Sequence, residues 1–220
     1  MNTLKGLLTK EIILIKGYKK TLILFIVLAA MICFFNDSIT TFIPIYLPLV
    51  LGMIALNSFA YDGQSNLDRY LLSFPVNKKD VILAKYIYIF SLTVLGAILG
   101  IAFAIALQII RDSSLLNIED IISTGVGALF GMMILQIFQI PILIKFGYEK
   151  GRMVRMLAIV LLVMIAGAIS LTQFKITSLS IDEILNMLKQ YGFYIIAVIT
   201  VLLYILSYKI SYNIYKKKEI

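Results

Sequence analysis

The chain has 220 residues and a formal net charge of +8; 61% of its residues are hydrophobic and 15% charged, against roughly 45–50% and about 25% in a soluble domain. This excludes an ordinary water-soluble fold and makes lipid its solvent, with room for one membrane domain over 1–220 and no stretch polar enough to build a second. One cysteine, Cys33, and no histidine exclude a disulfide framework, the usual zinc sites and histidine-based acid–base catalysis.

Asn2–Lys16 comes first, with Leu4, Leu7, Leu8, Ile12 and Ile15 at helical spacing and Lys5, Lys10, Glu11 and Lys16 marking a polar side. It reads as an amphipathic helix over 1–17 lying in the cytoplasmic headgroup region, the alternative being the start of one bent helix. Met1 to Lys20 lack the compact apolar stretch and cleavage site of a secretory signal.

A spanning helix needs about 20 mostly apolar residues. Six segments come close, and none contains Lys, Arg, Asp or Glu: Thr21–Phe35, Thr41–Ala60, Ile87–Ile110, Ile121–Ile144, Met156–Phe174 and Tyr191–Tyr208. The first is short and borrows Gly17, Tyr18 and the Asn36–Ser38 turn, so the spans fall near 21–38, 41–60, 87–110, 121–144, 156–174 and 191–208. Ser113–Asp120 reads as a short outer loop. In Gln173–Lys189, Ser180 followed by Asp182 and Glu183 suggests a capped external helix through Leu188. The fold class is an all-α polytopic membrane protein of six transmembrane helices.

Charge placement tests that count. Cytoplasmic flanks collect Lys and Arg, and alternating the six spans leaves only Arg111, Lys175 and Lys189 of the 20 basic residues on the outer side. Both termini are therefore expected in the cytoplasm and the protein in the cell membrane. Basic blocks beside apolar runs point to anionic lipid and topology rather than to nucleic acid.

No ionisable side chain lies in the six cores, which disfavours a carboxylate relay for ion coupling and excludes an intramembrane protease. No phosphate-binding loop occurs; Gly147-Tyr148-Glu149-Lys150-Gly151 lacks its spacing and its Lys-Ser/Thr pair. If the chain moves a solute uphill, the energy must enter from outside the bilayer through a separate nucleotide-binding partner docked on the cytoplasmic face, and no cofactor is expected in this chain itself.

Two cytoplasmic loops are candidates for that dock. In Tyr61–Asp80, Leu67, Tyr70, Leu71 and Phe74 recur at roughly helical spacing before Pro75, which makes a short amphipathic helix and a rigid turn. A partner's groove or the lipid surface would each accept its apolar side. Lys145–Arg152 is compact, basic and bounded by glycines, and by itself is a snorkelling turn.

Within the spans, Gly96/Gly100 and Gly127/Gly131 are each four apart, a spacing that allows close helix approach. Gln136, Gln139 and Pro141 interrupt the fourth span; buried amides either line a pathway or bond between helices. Pro44 and Pro48 bend the second span near its outer end, as kinked packing or as an outer gate.

The loop pair resembles the small permeases of the ABC-2 type exporter superfamily. The resemblance is carried by Asp68, Tyr70, Leu71, Ser73, Pro75, Val76, Lys78, Asp80, Val81, Ala84, Lys85 and Tyr86, continues in Lys145, Phe146, Gly147, Tyr148, Glu149 and Lys150, and includes the Leu4-Lys5-Gly6-Leu7-Leu8-Thr9-Lys10-Glu11 opening. Leu67 stands where the family often has tryptophan, and Phe74 where it has leucine. The resemblance covers the whole chain in span order, and is greatest to exporters of amphipathic cytolytic or antimicrobial peptides in low-GC Gram-positive bacteria. It implies two permease subunits, identical or sister, over two ATPase subunits that carry the ATP and Mg. Asp68, Tyr70, Leu71, Phe74, Pro75 and Lys78 would form the ATPase-coupling loop, with Gly147, Tyr148, Glu149 and Lys150 beside it. The competing expectation is a non-transporting membrane protein, an immunity, assembly or sensory partner, that binds a soluble protein through its first loop.

Overall fold

The computed structural model describes residues 2–35, 39–65, 77–111, 117–172 and 181–217. Nearly all of them are helical and none is in a strand, which makes the protein an all-α polytopic membrane protein. The helices are α1 (Asn2–Gly17), α2 (Lys19–Phe35), α3 (Ile39–Leu56), α4 (Ser58–Gln64), α5 (Lys78–Arg111), α6 (Ile118–Thr172) and α7 (Ile181–Lys217). Among the described residues, Phe42–Gln64, Lys78–Ile110, Ile118–Met153 and Ile196–Lys217 are long and apolar enough to cross a membrane. The other two expected spans, near 21–38 and 156–174, fall on α2, 17 residues long, and on the later part of α6.

The helices differ from the uncharged runs at their ends. α5 starts at Lys78 rather than near Ile87, so Lys85 lies inside it. α7 runs without a break from Ile181 to Lys217, where a separate external helix ending near Leu188 was expected; Ser180, its expected cap, lies outside the described residues.

The expected loop at Lys145–Arg152 is reduced to one residue. Gly147 takes φ 77° and ψ 173°, while its neighbours on both sides stay helical. Gly151 nevertheless lies against Leu143, since a Cβ built on it would meet the Leu143 Cα at 3.3 Å. Eight residues of straight helix would separate the two by about 12 Å. The chain has therefore doubled back, and glycine accepts the positive φ that makes this turn at no steric cost.

Between membrane helices the lipid supplies little hydrophobic drive, so association rests on close packing and interhelical hydrogen bonds. α3 occupies the middle, against both α5 and α6. On its contact with α5, Gly96 and Gly100 face Pro48 and Pro44: a Cβ on Gly96 would stand 2.7 Å from the Pro48 Cα, and one on Gly100 3.2 Å from the Pro44 Cα. These backbones touch because the glycines have no side chain. Gly127 and Gly131 meet nothing within 4 Å and are exposed.

Buried side chains gather in two clusters, a small one around Ile43, Ala104 and Ile121 and a larger one around Leu56, Ile82, Ile89 and Ile140. α1 packs on α5, with Leu7, Leu8 and Ile15 against the larger cluster. The expected faces of α1 are partly exchanged: Ile12, from the apolar stripe, is exposed, and Glu11, from the polar side, is buried.

Candidate functional site

The charged residues that the apolar runs exclude converge where α1, α4 and α5 meet. The Lys85 ammonium, on a residue only 6% exposed, lies 3.3 Å from Glu11 Oε1, donates to the Ser58 hydroxyl at 3.3 Å and pairs with Asp62. Lys10 closes the cluster, 2.5 Å from Asp62 Oδ1 and 3.1 Å from Glu11 Oε1. Two cations thus face two carboxylates. This cancellation is what makes burial of Glu11, 2% exposed, tolerable, because an unpaired charge here would carry a desolvation penalty of several kcal/mol. The Lys85 ammonium also sits 4.3 Å from the Phe59 ring centroid, where the ring face attracts it. Burial pulls the Lys10 pKa down, but the Asp62 and Glu11 carboxylates outweigh it and hold the group above the ordinary lysine value. Its contribution is therefore complete below that value and lost only as strong alkali deprotonates it.

α4 is held at further points. Asn57, the joint between α3 and α4, keeps helical angles (φ −67°, ψ −14°), and its side-chain oxygen accepts a 2.9 Å bond from the Tyr148 hydroxyl. Tyr148 is the first residue after the Gly147 turn. Tyr61 packs edge-on against Tyr18, at the junction of α1 and α2, with centroids 5.9 Å apart. A seven-residue helix is thus fixed to α1, α5 and the α6 turn, at the point where the chain enters 66–76.

Asp68, Tyr70, Leu71, Phe74 and Pro75 of the expected coupling loop fall in 66–76 and lie outside the described residues. Lys78 opens α5. Gly147 forms the hairpin turn, Tyr148 bonds to Asn57, and Glu149 and Lys150 are exposed just beyond. Between α4 and this turn lies a cleft of about 820 Å³, lined by Ala60, Gly63 and Gln64 on one side and Tyr148, Glu149 and Arg152 on the other. It carries both charge signs, with Glu149 beside Lys150 and Arg152. No group of side chains suited to a metal ion occurs among the described residues.

The two glutamines lie on α6. Gln136, fully buried, donates to the Thr93 hydroxyl on α5 at 2.7 Å, while that hydroxyl donates to the Ile89 carbonyl at 2.8 Å. Gln139 is buried, and its amide oxygen has no partner among the described residues. Nearby, a hydroxyl chain ties α5, α6 and α7. Ser207 donates to the Ile137 carbonyl at 2.7 Å, so its one proton is spent. Tyr86 must then donate to Ser207 at 2.8 Å, and Ser211 to Tyr86 at 2.7 Å.

Sequence reasoning missed Glu11, Asp62 and Lys85 as a unit. One signal was present: Lys85 is the single charge in Val81–Ile110, a run otherwise free of them.

The family model described as ABC-2 family transporter protein matches residues 6–216. The chain belongs to that family, as the membrane component of an ABC transporter, and the family works with an ABC ATPase. Neither the curated proteins nor the solved structures compared with it include a match.

Proposed function

We propose that the chain is the permease subunit of an ATP-driven exporter, which moves a hydrophobic or amphipathic substrate, a peptide toxin or antimicrobial among them, out of the cell with a separate ATPase subunit. The observation that carries this reading is the position of α4, fixed by Asp62 to α1 and α5 and by Asn57 to the α6 turn, directly before 66–76. A push delivered to that segment, or to the neighbouring cleft, reaches three helices at once. The ATP and Mg belong to the partner, a second permease copy or sister completes the assembly, and both termini face the cytoplasm of the cell that makes it. Both glutamines bury an amide oxygen with no partner among the described residues, but Gln136 is tied to Thr93 through its amide nitrogen, which leaves Gln139 the better of the two for a place beside the substrate path.

The test is co-purification with an ABC ATPase from the cell that makes the chain. Changing Tyr70, Leu71 and Phe74 to aspartate should leave the chain in the membrane but release the ATPase, and Lys150→Glu should weaken the association. Undiminished ATPase recovery from the triple variant would remove the docking assignment. Uphill transport by liposomes holding this chain alone would remove the whole reading.

A further inference from the structure

On the side of the bundle away from α4, α5 and α7 enclose an almost wholly apolar groove of about 350 Å³. Its walls are two helical rows, Leu83, Ile87 and Phe90 on α5 and Val201, Ile205 and Tyr208 on α7, with Met133 of α6 beneath. The groove opens outward: Ile87, Phe90, Val201 and Ile205 are each 39–49% exposed. Along α5 it extends for about 10 Å, most of the depth of one hydrocarbon leaflet.

The charges lie at one end. Lys79, four residues before Leu83, and Lys209, four after Ile205, continue the two rows past the groove and are exposed, and Lys216 follows on the same side of α7. Asp80, three before Leu83, is the acidic residue at this mouth, which leaves the rim net positive. Within the groove Tyr86 packs edge to face against Tyr204 and Tyr208, at centroid separations of 5.3 and 5.5 Å. The buried Tyr208 hydroxyl has no hydrogen-bond partner among the described residues. An apolar trough with tyrosines set in its wall, ending in a cationic rim, matches an acyl chain beneath an anionic phosphate.

We infer that this groove is a binding site for an anionic phospholipid, one acyl chain lying between α5 and α7 and the phosphate held by Lys79 and Lys209. A second copy of the chain would cover the same apolar wall, but it would have to bury the cationic rim against its own like charge. That the lipid comes from the inner leaflet rests on the inward placement of the basic end proposed above. Binding itself does not, and needs neither ATPase nor transport.

The chain contains no tryptophan, so Phe90→Trp creates a single indole inside the groove. The variant is reconstituted in phosphatidylcholine vesicles containing a small, equal fraction of either phosphatidylglycerol or phosphatidylcholine brominated on the acyl chain. Lys79, Lys209 and Lys216 against Asp80 leave two net cations at the rim, which predict roughly thirtyfold tighter occupancy by the anionic lipid, read as stronger quenching at equal fraction. Lys79→Gln with Lys209→Gln should bring the two lipids level. Phe138→Trp, on a 64% exposed residue of another face, should be quenched alike by both. Ile87→Trp replaces Phe90→Trp if that variant does not insert. Equal quenching by both lipids at the groove would reduce it to ordinary lipid-facing surface, quenching by neither would mean that protein covers it, and the same anionic preference at Phe138 would mean that no site is special. Any of the three overturns the inference.

Discussion

The junction around α4 and the seam between α3 and α5 solve the same problem by opposite means. At the first, helices are held by full charges brought from distant stretches of chain, Glu11 to Lys85 and Lys85 to Asp62. At the second they are held by the absence of side chains, with Gly96 and Gly100 letting backbone meet the backbone of Pro48 and Pro44. The charged junction depends on every member being present. The seam depends on nothing being added, which makes one region sensitive to removal and the other to enlargement.

The largest effect should follow from breaking the junction. Lys85→Met leaves Glu11 and Asp62 with Lys10 as the remaining cation of the cluster, and uncompensated buried charge costs about 3–5 kcal/mol. A sharp fall in the thermal midpoint of the detergent-solubilised protein is expected; an unchanged midpoint would make the cluster a surface feature. Gly96→Val comes next, at about 1–3 kcal/mol for forcing a side chain into a filled contact, whereas Gly127→Val on the exposed pair should melt near the parent. Equal losses from both would erase the distinction between the two glycine pairs.

Smaller again is Gln136→Leu, which removes the bond to Thr93 at about 1 kcal/mol; adding Thr93→Val should recover part of the loss, since neither partner is then left unpaired. A double variant worse than the sum of the single changes would contradict that bond. Gly127→Ala should be the mildest, within about 0.5 kcal/mol of the parent.

The helical class, the sites of the main helices and the backbone contact at Gly96 and Gly100 were legible because uncharged length and small-residue spacing are local properties. The charged junction was not. Helical periodicity assigns Glu11 to a water-facing side because it weighs only neighbours on the same helix, while its partner arrives 74 residues later. The turn at Gly147 was legible as a glycine-bounded loop, but not as a single residue, because the reversal depends on Gly151 fitting against Leu143. Nor does spacing separate Gly96/Gly100 from Gly127/Gly131: four apart in each case, they differ only in what lies opposite.

α3 and α4 are separated by one residue, Asn57, that keeps helical angles, so Pro44 and Asp62 stand on what is mechanically a single rod about 27 Å long. Glycine contacts grip it at one end and ion pairs at the other. Tilting Asp62 must swing the proline end against Gly96 and Gly100, where no side chain can flex to absorb the motion. The stiffness of that rod would let a nudge at one membrane face act as a crowbar at the other.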